Sequence, residues 1–226
     1  MKKNMLAILM MLLPLASMAQ SNWEAPKEKK AVTVTKTKKE KKAKKETNTV
    51  KEADKPYLAG AVPEKDGEVV FSREISTNGM SAQKAYDLVY NKIEQLAEGE
   101  NQTERSRIAL LNKEEHSIAA TFSEWIVFSN KFLELDRTKF NYMLVADCKD
   151  GKVNITISHL AYVYGEDENA VRYTAEDLIT DKLMLAKGGT KLKRINRKFR
   201  IATVDRMNEV LNSIQETFAN KTKATE

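Results

Sequence analysis

Apolar and polar positions alternate most clearly between Lys139 and Val163, KFNYMLVADCKDGKVNITISHLAYV. Two alternating runs flank Asp150-Gly151. That dipeptide in that setting signals a β-hairpin with a type I′ turn, which requires positive φ at both central residues. The turn sets a register: Cys148 opposite Val153, Ala146 opposite Ile155, Leu144 opposite Ile157, Tyr142 opposite His159 and Phe140 opposite Ala161. Nine of these ten side chains are apolar or aromatic, so this face is expected to look into the core, with His159 beside Tyr142 at its margin.

A second hairpin is predicted over 103–128, with arms Arg105–Leu111 and His116–Phe128 and a turn near Asn112–Glu115. Ile118, Ala120, Phe122 and Ile126 alternate in its second arm, and Glu124 interrupts them. Trp125 and Val127 fall on the opposite face, where they either pack on a neighbour or form an exposed patch. Phe132–Leu135 reads as a short extended piece after a loop at 129–131. Upstream, Glu68–Ser76 (EVVFSREIS) reads as a strand, and Ser81 is a suitable N-cap for a helix to about Glu98, whose apolar stripe is Tyr86, Val89, Tyr90, Ile93, Leu96 and Ala97. Downstream, GEDENAVR at 165–172 reads as an acidic loop. Thr174 with Asp177 has capping-box spacing and is expected to start a helix running to about Lys187, stopped by Gly188-Gly189. A basic connector follows at 191–200, then a helix over Thr203–Ala219 with its seam at Val204, Met207, Leu211, Ile214 and Phe218.

The order β-α-β-β-β-β-α-α indicates an α+β fold: a curved antiparallel sheet with the helices at 81–98 and 203–219 packed on one face and the other face partly wet. Ahead of this domain (57–226), Lys2 and Lys3, the apolar run Met5–Leu15 and Ser17-Met18-Ala19 have the layout of a secretory signal peptide over 1–19, too short to span a bilayer. The expected destination is periplasmic or extracellular. Residues 20–56 are rich in Lys, Thr and Glu and are expected to be a disordered Lys-rich tail.

Charge sharpens this division. The chain carries +6 overall. Residues 20–55 hold twelve Lys against six acids, while 56–226 hold 24 Lys or Arg against 26 Asp or Glu, a balance of −2. The basicity therefore lies in the tail, either as a solvated spacer or as a segment (27–55) contacting anionic envelope surfaces.

With these elements placed, the chain resembles a family of secreted Bacteroidetes proteins of unknown function with a TBP-like fold. The resemblance rests on the signal peptide, EVVFSREIS, AYDLVYNKIEQL, the central hairpin and the stretch from YTAEDLITDKL through NRKFRIATVDRMNEVLNSI, and spans about 67–219. It implies a TATA-binding-protein-like layer of sheet and helix and brings no assigned activity or catalytic residue. DNA binding does not follow from such a fold name. A near-neutral domain lacks the basic face that phosphates require, and an exported protein leaves the chromosome behind, so nucleic acid is not an expected partner.

Candidate chemistry is sparse. His116 and His159 have no partners at zinc-ligand spacing, no nucleophile elbow or phosphate-cradling loop is present, and no catalytic residue, cofactor or metal is assigned. Cys148, the single cysteine, cannot form an internal disulfide and reads as a buried small hydrophobe. Trp125, Tyr162, Tyr164 and Tyr173, with Lys193, Arg194 and Arg197 of the connector, form the candidate partner surface, although aromatics at such positions also serve as core. The expectation is a non-catalytic envelope module that binds a protein or small ligand; the alternatives are an envelope hydrolase built around His159 and a tail-mediated binder of anionic surfaces.

Overall fold

A computed structural model of the chain describes residues 51–131, 134–165 and 169–222. The expected signal peptide and tail up to residue 50 lie outside the described residues. The domain begins earlier than expected, because Glu52–Tyr57 form a 3-10 turn that straddles the anticipated boundary at 56/57. A two-residue hairpin follows, β1 (Glu64–Lys65) and β2 (Glu68–Val69), so the expected strand 68–76 divides at Val70 into β2 and β3 (Phe71–Ser76).

Next come α1 (Ala82–Ala97), β4 (Arg107–Asn112), β5 (Ser117–Lys131), β6 (Glu134–Lys149) and β7 (Lys152–Tyr164). They are followed by β8 (Val171–Thr174), α2 (Ala175–Leu178), α3 (Asp181–Met184) and α4 (Arg197–Thr222). The main sheet is antiparallel with order β3-β7-β6-β5-β4, and β8 pairs with the second half of β7. No helix among the described residues is long and apolar enough to cross a membrane.

The central hairpin pairs as expected near its turn: Cys148 with Val153, Ala146 with Ile155 and Leu144 with Ile157. Leu144 and Ile157 are fully buried. Two details differ. Asp150 does not take the positive φ of a type I′ turn; Gly151 alone does, at +81°. The turn is shaped from outside: the Asp150 carboxylate accepts the Ala82 N–H at 2.8 Å, Gly151 N–H donates to Met80 O, and Thr77 N–H donates to Gly151 O. The second difference is a bulge, with His159 and Leu160 together facing Tyr142, after which Asn141 pairs with Ala161 and Phe140 with Tyr162. His159 is the extra residue, left-handed at φ +57° and exposed. One inserted residue reverses the side-chain parity of everything beyond it, so Leu160 and Tyr162 turn inward.

The acidic stretch ends in the edge strand β8 rather than remaining loop. The capping box at Thr174 forms as expected, but the helix lasts one turn. It restarts at α3 because Ile179 and Thr180 leave helical geometry, and the Ile179 carbonyl is taken by Arg200 at 2.6 Å.

Both long helices lie on the same side of the sheet. Tyr86, Val89 and Ile93 of α1, Val204, Met207, Leu211, Ile214 and Phe218 of α4, and the inward rows of β3, β5, β6 and β7 share one core. At about 25 cal/mol per Å² of buried apolar surface, such a continuous core is the main favourable term in folding. The rows pointing the other way, including Trp125, Met143, Val145 and Val163, are not part of it.

Candidate functional site

Two places carry organised polar chemistry. The first is a cleft of about 260 Å³ between the C-terminal turn of α1, the loop at 99–102, β5 and α4. Its floor is Glu124, which occupies an inward position of β5 and is only 2% exposed. A carboxylate there needs a cation, and Arg206 of α4 supplies a two-pronged one, with Nε to Oε1 at 2.9 Å and Nη2 to Oε2 at 2.8 Å. Gln102 Nε2 donates to the same Oε2 at 2.5 Å, Ser106 Oγ donates to Gln102 Oε1 at 2.6 Å, and Ser123 N–H donates to Ser106 Oγ.

Burial opposes the Arg206 charge, but bonds to Glu124 and to Glu209 (2.9 Å) hold its pKa above the ordinary arginine value. The Tyr142 hydroxyl lies beside this pair and makes no hydrogen bond of regular geometry among the described residues. Burial, reinforced by the Glu124 charge, keeps that phenol protonated well beyond the usual tyrosine range. The "break" in the β5 alternation is thus the point where α4 is tied to the sheet.

The second place is the sheet face that the helices do not cover. Register puts Trp125 of β5, Lys139 of β6, Val163 of β7 and Arg172 of β8 in one row across four strands, with Val127 and Arg137 in the next. The Arg137 guanidinium carbon sits 4.0 Å from the centre of the Trp125 ring, and Lys139 Nζ sits 5.3 Å from it. A guanidinium held flat on an indole keeps its N–H edge free for a bidentate acceptor. Among the described residues, none of Arg137, Lys139 and Arg172 pairs with a carboxylate.

The residues proposed from sequence as one partner surface are not brought together. Trp125 is on the uncovered face. Tyr162, turned inward by the bulge, is completely buried; its hydroxyl is 2.6 Å from Thr203 Oγ1, and burial raises its pKa. Tyr164 packs with Phe199 on the helix side and donates to Asp136 at 3.0 Å, and Tyr173 packs against the core. Lys193 donates to the Leu183 carbonyl at 2.7 Å, Arg197 pairs with Asp54, and Arg194 is exposed.

The basic connector is exposed at Lys191, Lys193 and Arg194, but its end is the first turn of α4. There Arg200 is completely buried. Lys198 meets both Asp136 oxygens at 2.8 and 2.7 Å under the rings of Phe128 and Tyr164. His159, the residue on which a hydrolase would rest, is exposed, bonds only Ser158 Oγ among the described residues and does not line the cleft. His116 lies 3.2 Å from Gln83 at a strand turn. Cys148 is buried, and burial, with Asp147 nearby, pushes its thiol up to about 12. Sequence reasoning missed Arg137 and Lys139, whose link to Trp125 depends on pairing between the two hairpins, and Arg206, for which the unexplained inward Glu124 was the available signal.

Comparison with known proteins agrees with this architecture. Residues 71–163 match the model of a domain of unknown function, DUF4468, with a TBP-like fold. A DUF4468 family protein from Bacteroides ovatus, known from its crystal structure, is 38% identical and superposes with a TM-score of 0.69 over 74% of this chain and 96% of that one. A TBP-like protein from Parabacteroides distasonis, 18% identical, shares the fold with a TM-score of 0.54 over 71% of this chain and 98% of that one. No curated protein is detectably similar to the chain. With the sheet, the helix layer and this degree of identity in agreement, the chain belongs to the DUF4468 family of TBP-like fold.

Proposed function

We propose that the chain is an exported envelope protein of a Bacteroidetes bacterium and works as a binding module, with the uncovered sheet face around Trp125 as its contact surface. This reading rests on the set of cations on that face: Arg137 and Lys139 beside the Trp125 indole and Arg172 in the same row, none of them paired with a carboxylate among the described residues. In the cleft, by contrast, Arg206 and Glu124 consume each other's charge. The signal-peptide layout of residues 1–19 supports export, and the organisms of the two structural relatives support the origin.

The test is capture from a detergent-free envelope fraction, with the wild-type chain compared with Trp125→Ser and with Arg137→Glu/Lys139→Glu. These residues lie outside the core, so the variants are expected to keep the wild-type thermal midpoint and to lose capture of the envelope fraction. Undiminished capture by both variants would remove this face as the contact surface.

A further inference from the structure

We infer that what the uncovered face meets is a lipid surface bearing anionic headgroups. This rests on the proposed contact face and names its partner. Two independent observations point there: the first calls for an anionic partner, and the second selects lipid over a soluble polyanion.

The first is charge. Three cations without a carboxylate partner among the described residues share the face, and the chain carries a further +6 in residues 20–55. Each Lys or Arg near an anionic membrane surface contributes about 1 kcal/mol, or about fivefold in partitioning, so a cation set on the face and a basic segment in the same chain reinforce each other. The second is the apolar component at the same spot. Beyond Trp125 on one side and Thr138 on the other, β5 and β6 pair only with each other among the described residues and run on as a two-stranded ribbon. On this ribbon Val127 and Leu135 point to the uncovered side and are 48% and 49% exposed, next to Arg137 and the Trp125 ring. A hydrated acidic polymer would satisfy the cations and leave these apolar groups in water. A headgroup layer satisfies both: phosphates take the guanidinium and ammonium groups, while the indole, valine and leucine enter the acyl boundary, where tryptophan is favoured. Asp136, the carboxylate between Leu135 and Arg137, is turned to the helix side and held by Lys198, so it does not repel the surface.

The experiment uses the processed chain from Gln20 carrying Trp23→Phe. The sequence has two tryptophans, so Trp125 becomes the only reporter. Vesicles of phosphatidylglycerol mixed with phosphatidylcholine should sediment with the protein and shift Trp125 emission to the blue; pure phosphatidylcholine vesicles should do neither. Arg137→Gln/Lys139→Gln should lower partitioning by about fivefold per cation. Val127→Ser/Leu135→Ser should lower it with no change in charge. The Lys-rich segment is present in every variant, so these differences belong to the face.

Equal vesicle binding by all variants, with no blue shift, would overturn the inference, because the tail alone would then account for binding. Binding to a soluble acidic polysaccharide that survives Val127→Ser/Leu135→Ser, without vesicle binding, would also overturn it. In both cases loss of envelope capture by the Trp125 and Arg137/Lys139 variants would leave the binding-module reading standing.

Discussion

Arg200→Met is the sharpest test of how this domain holds its N-terminal segment. The Arg200 side chain is 0% exposed. Its Nε donates to Tyr57 O at 2.7 Å, Nη1 to Ile179 O at 2.6 Å, and Nη2 to Leu58 O at 2.8 Å and to Asp181 Oδ1 at 2.6 Å. One guanidinium thus joins the 3-10 turn, the break between α2 and α3, and α4. Asp54 with Arg197 and Tyr57 with Asp205 extend the same seam. Methionine fills much of the volume but donates nothing, so three carbonyls and a carboxylate lose their partner. Each buried acceptor left unpaired costs about 1–3 kcal/mol. The carbonyls near the surface recover part of this from water, so the expected total is about 3–5 kcal/mol, the range found when one member of a buried ion pair is removed. Against a typical domain stability of about 5–15 kcal/mol, that is a large fraction, and it corresponds to a drop in thermal midpoint of roughly 10 °C or more at this size. Urea titration measures the loss directly, and limited proteolysis should cut near residues 51–60 in the variant before the rest of the domain opens. Arg200→Lys, which keeps the charge and loses the fork, should fall between. A cost below about 1 kcal/mol for Arg200→Met would refute the reasoning, since the carbonyls would then be shown to need no donor.

Three further outcomes follow from the same kind of accounting. Glu124→Leu should destabilise by about 3–5 kcal/mol by stranding Arg206, whereas Glu124→Leu/Arg206→Leu should cost much less than the two single changes together; additive costs in a double-mutant cycle would rule out the pairing as the reason for the buried charge. Cys148, with its thiol held up to about 12, should react with a disulfide reagent at pH 8 only as fast as the domain opens, and adding urea should release it. Because its folded pKa exceeds the value of 9.0 expected on unfolding, the unfolded chain loses this proton first as pH rises, so its contribution to stability is intact below about pH 9 and is lost towards pH 12; Cys148→Ala should flatten that decline in alkaline urea titrations. Gly151→Ala meets no atom within 4 Å but must hold φ near +81°, so it should cost about 1–2 kcal/mol from backbone strain alone, and a cost near zero would mean that the turn relaxes despite its bonds to Met80 and Thr77.

What could be read from sequence, and what could not, divides by distance along the chain. The central hairpin was legible because two residues of turn and a parity of two settle it locally, as Leu144 opposite Ile157 shows. The bulge was not, because nothing in Ser158-His159-Leu160 marks an inserted residue: histidine is one of the residues found at positive φ, here +57°, but it is far more often in extended backbone. That single insertion carried Tyr162 from the anticipated surface into the core. Nothing in the basic run 191–200 sets Arg200 apart from its neighbours; two of the carbonyls that bury it belong to residues 143 and 142 positions away. Glu124 is the instructive intermediate case. A carboxylate at an inward position between Phe122 and Ile126 is affordable only with a cation above it. Read that way, it requires an arginine or lysine on whichever helix crosses β5. The apolar seam of the last helix orients it towards the sheet at Val204, Met207 and Leu211, which places Arg206 close to the required flank. An interruption in an alternating strand thus carries information about tertiary pairing that the alternation itself lacks. The same reasoning applied to the outward side explains why Trp125 and Val127 stand out there while Arg137 and Lys139 do not: the two cations obey the polar rule for an exposed face, and a residue that obeys its rule gives no sign of a second role.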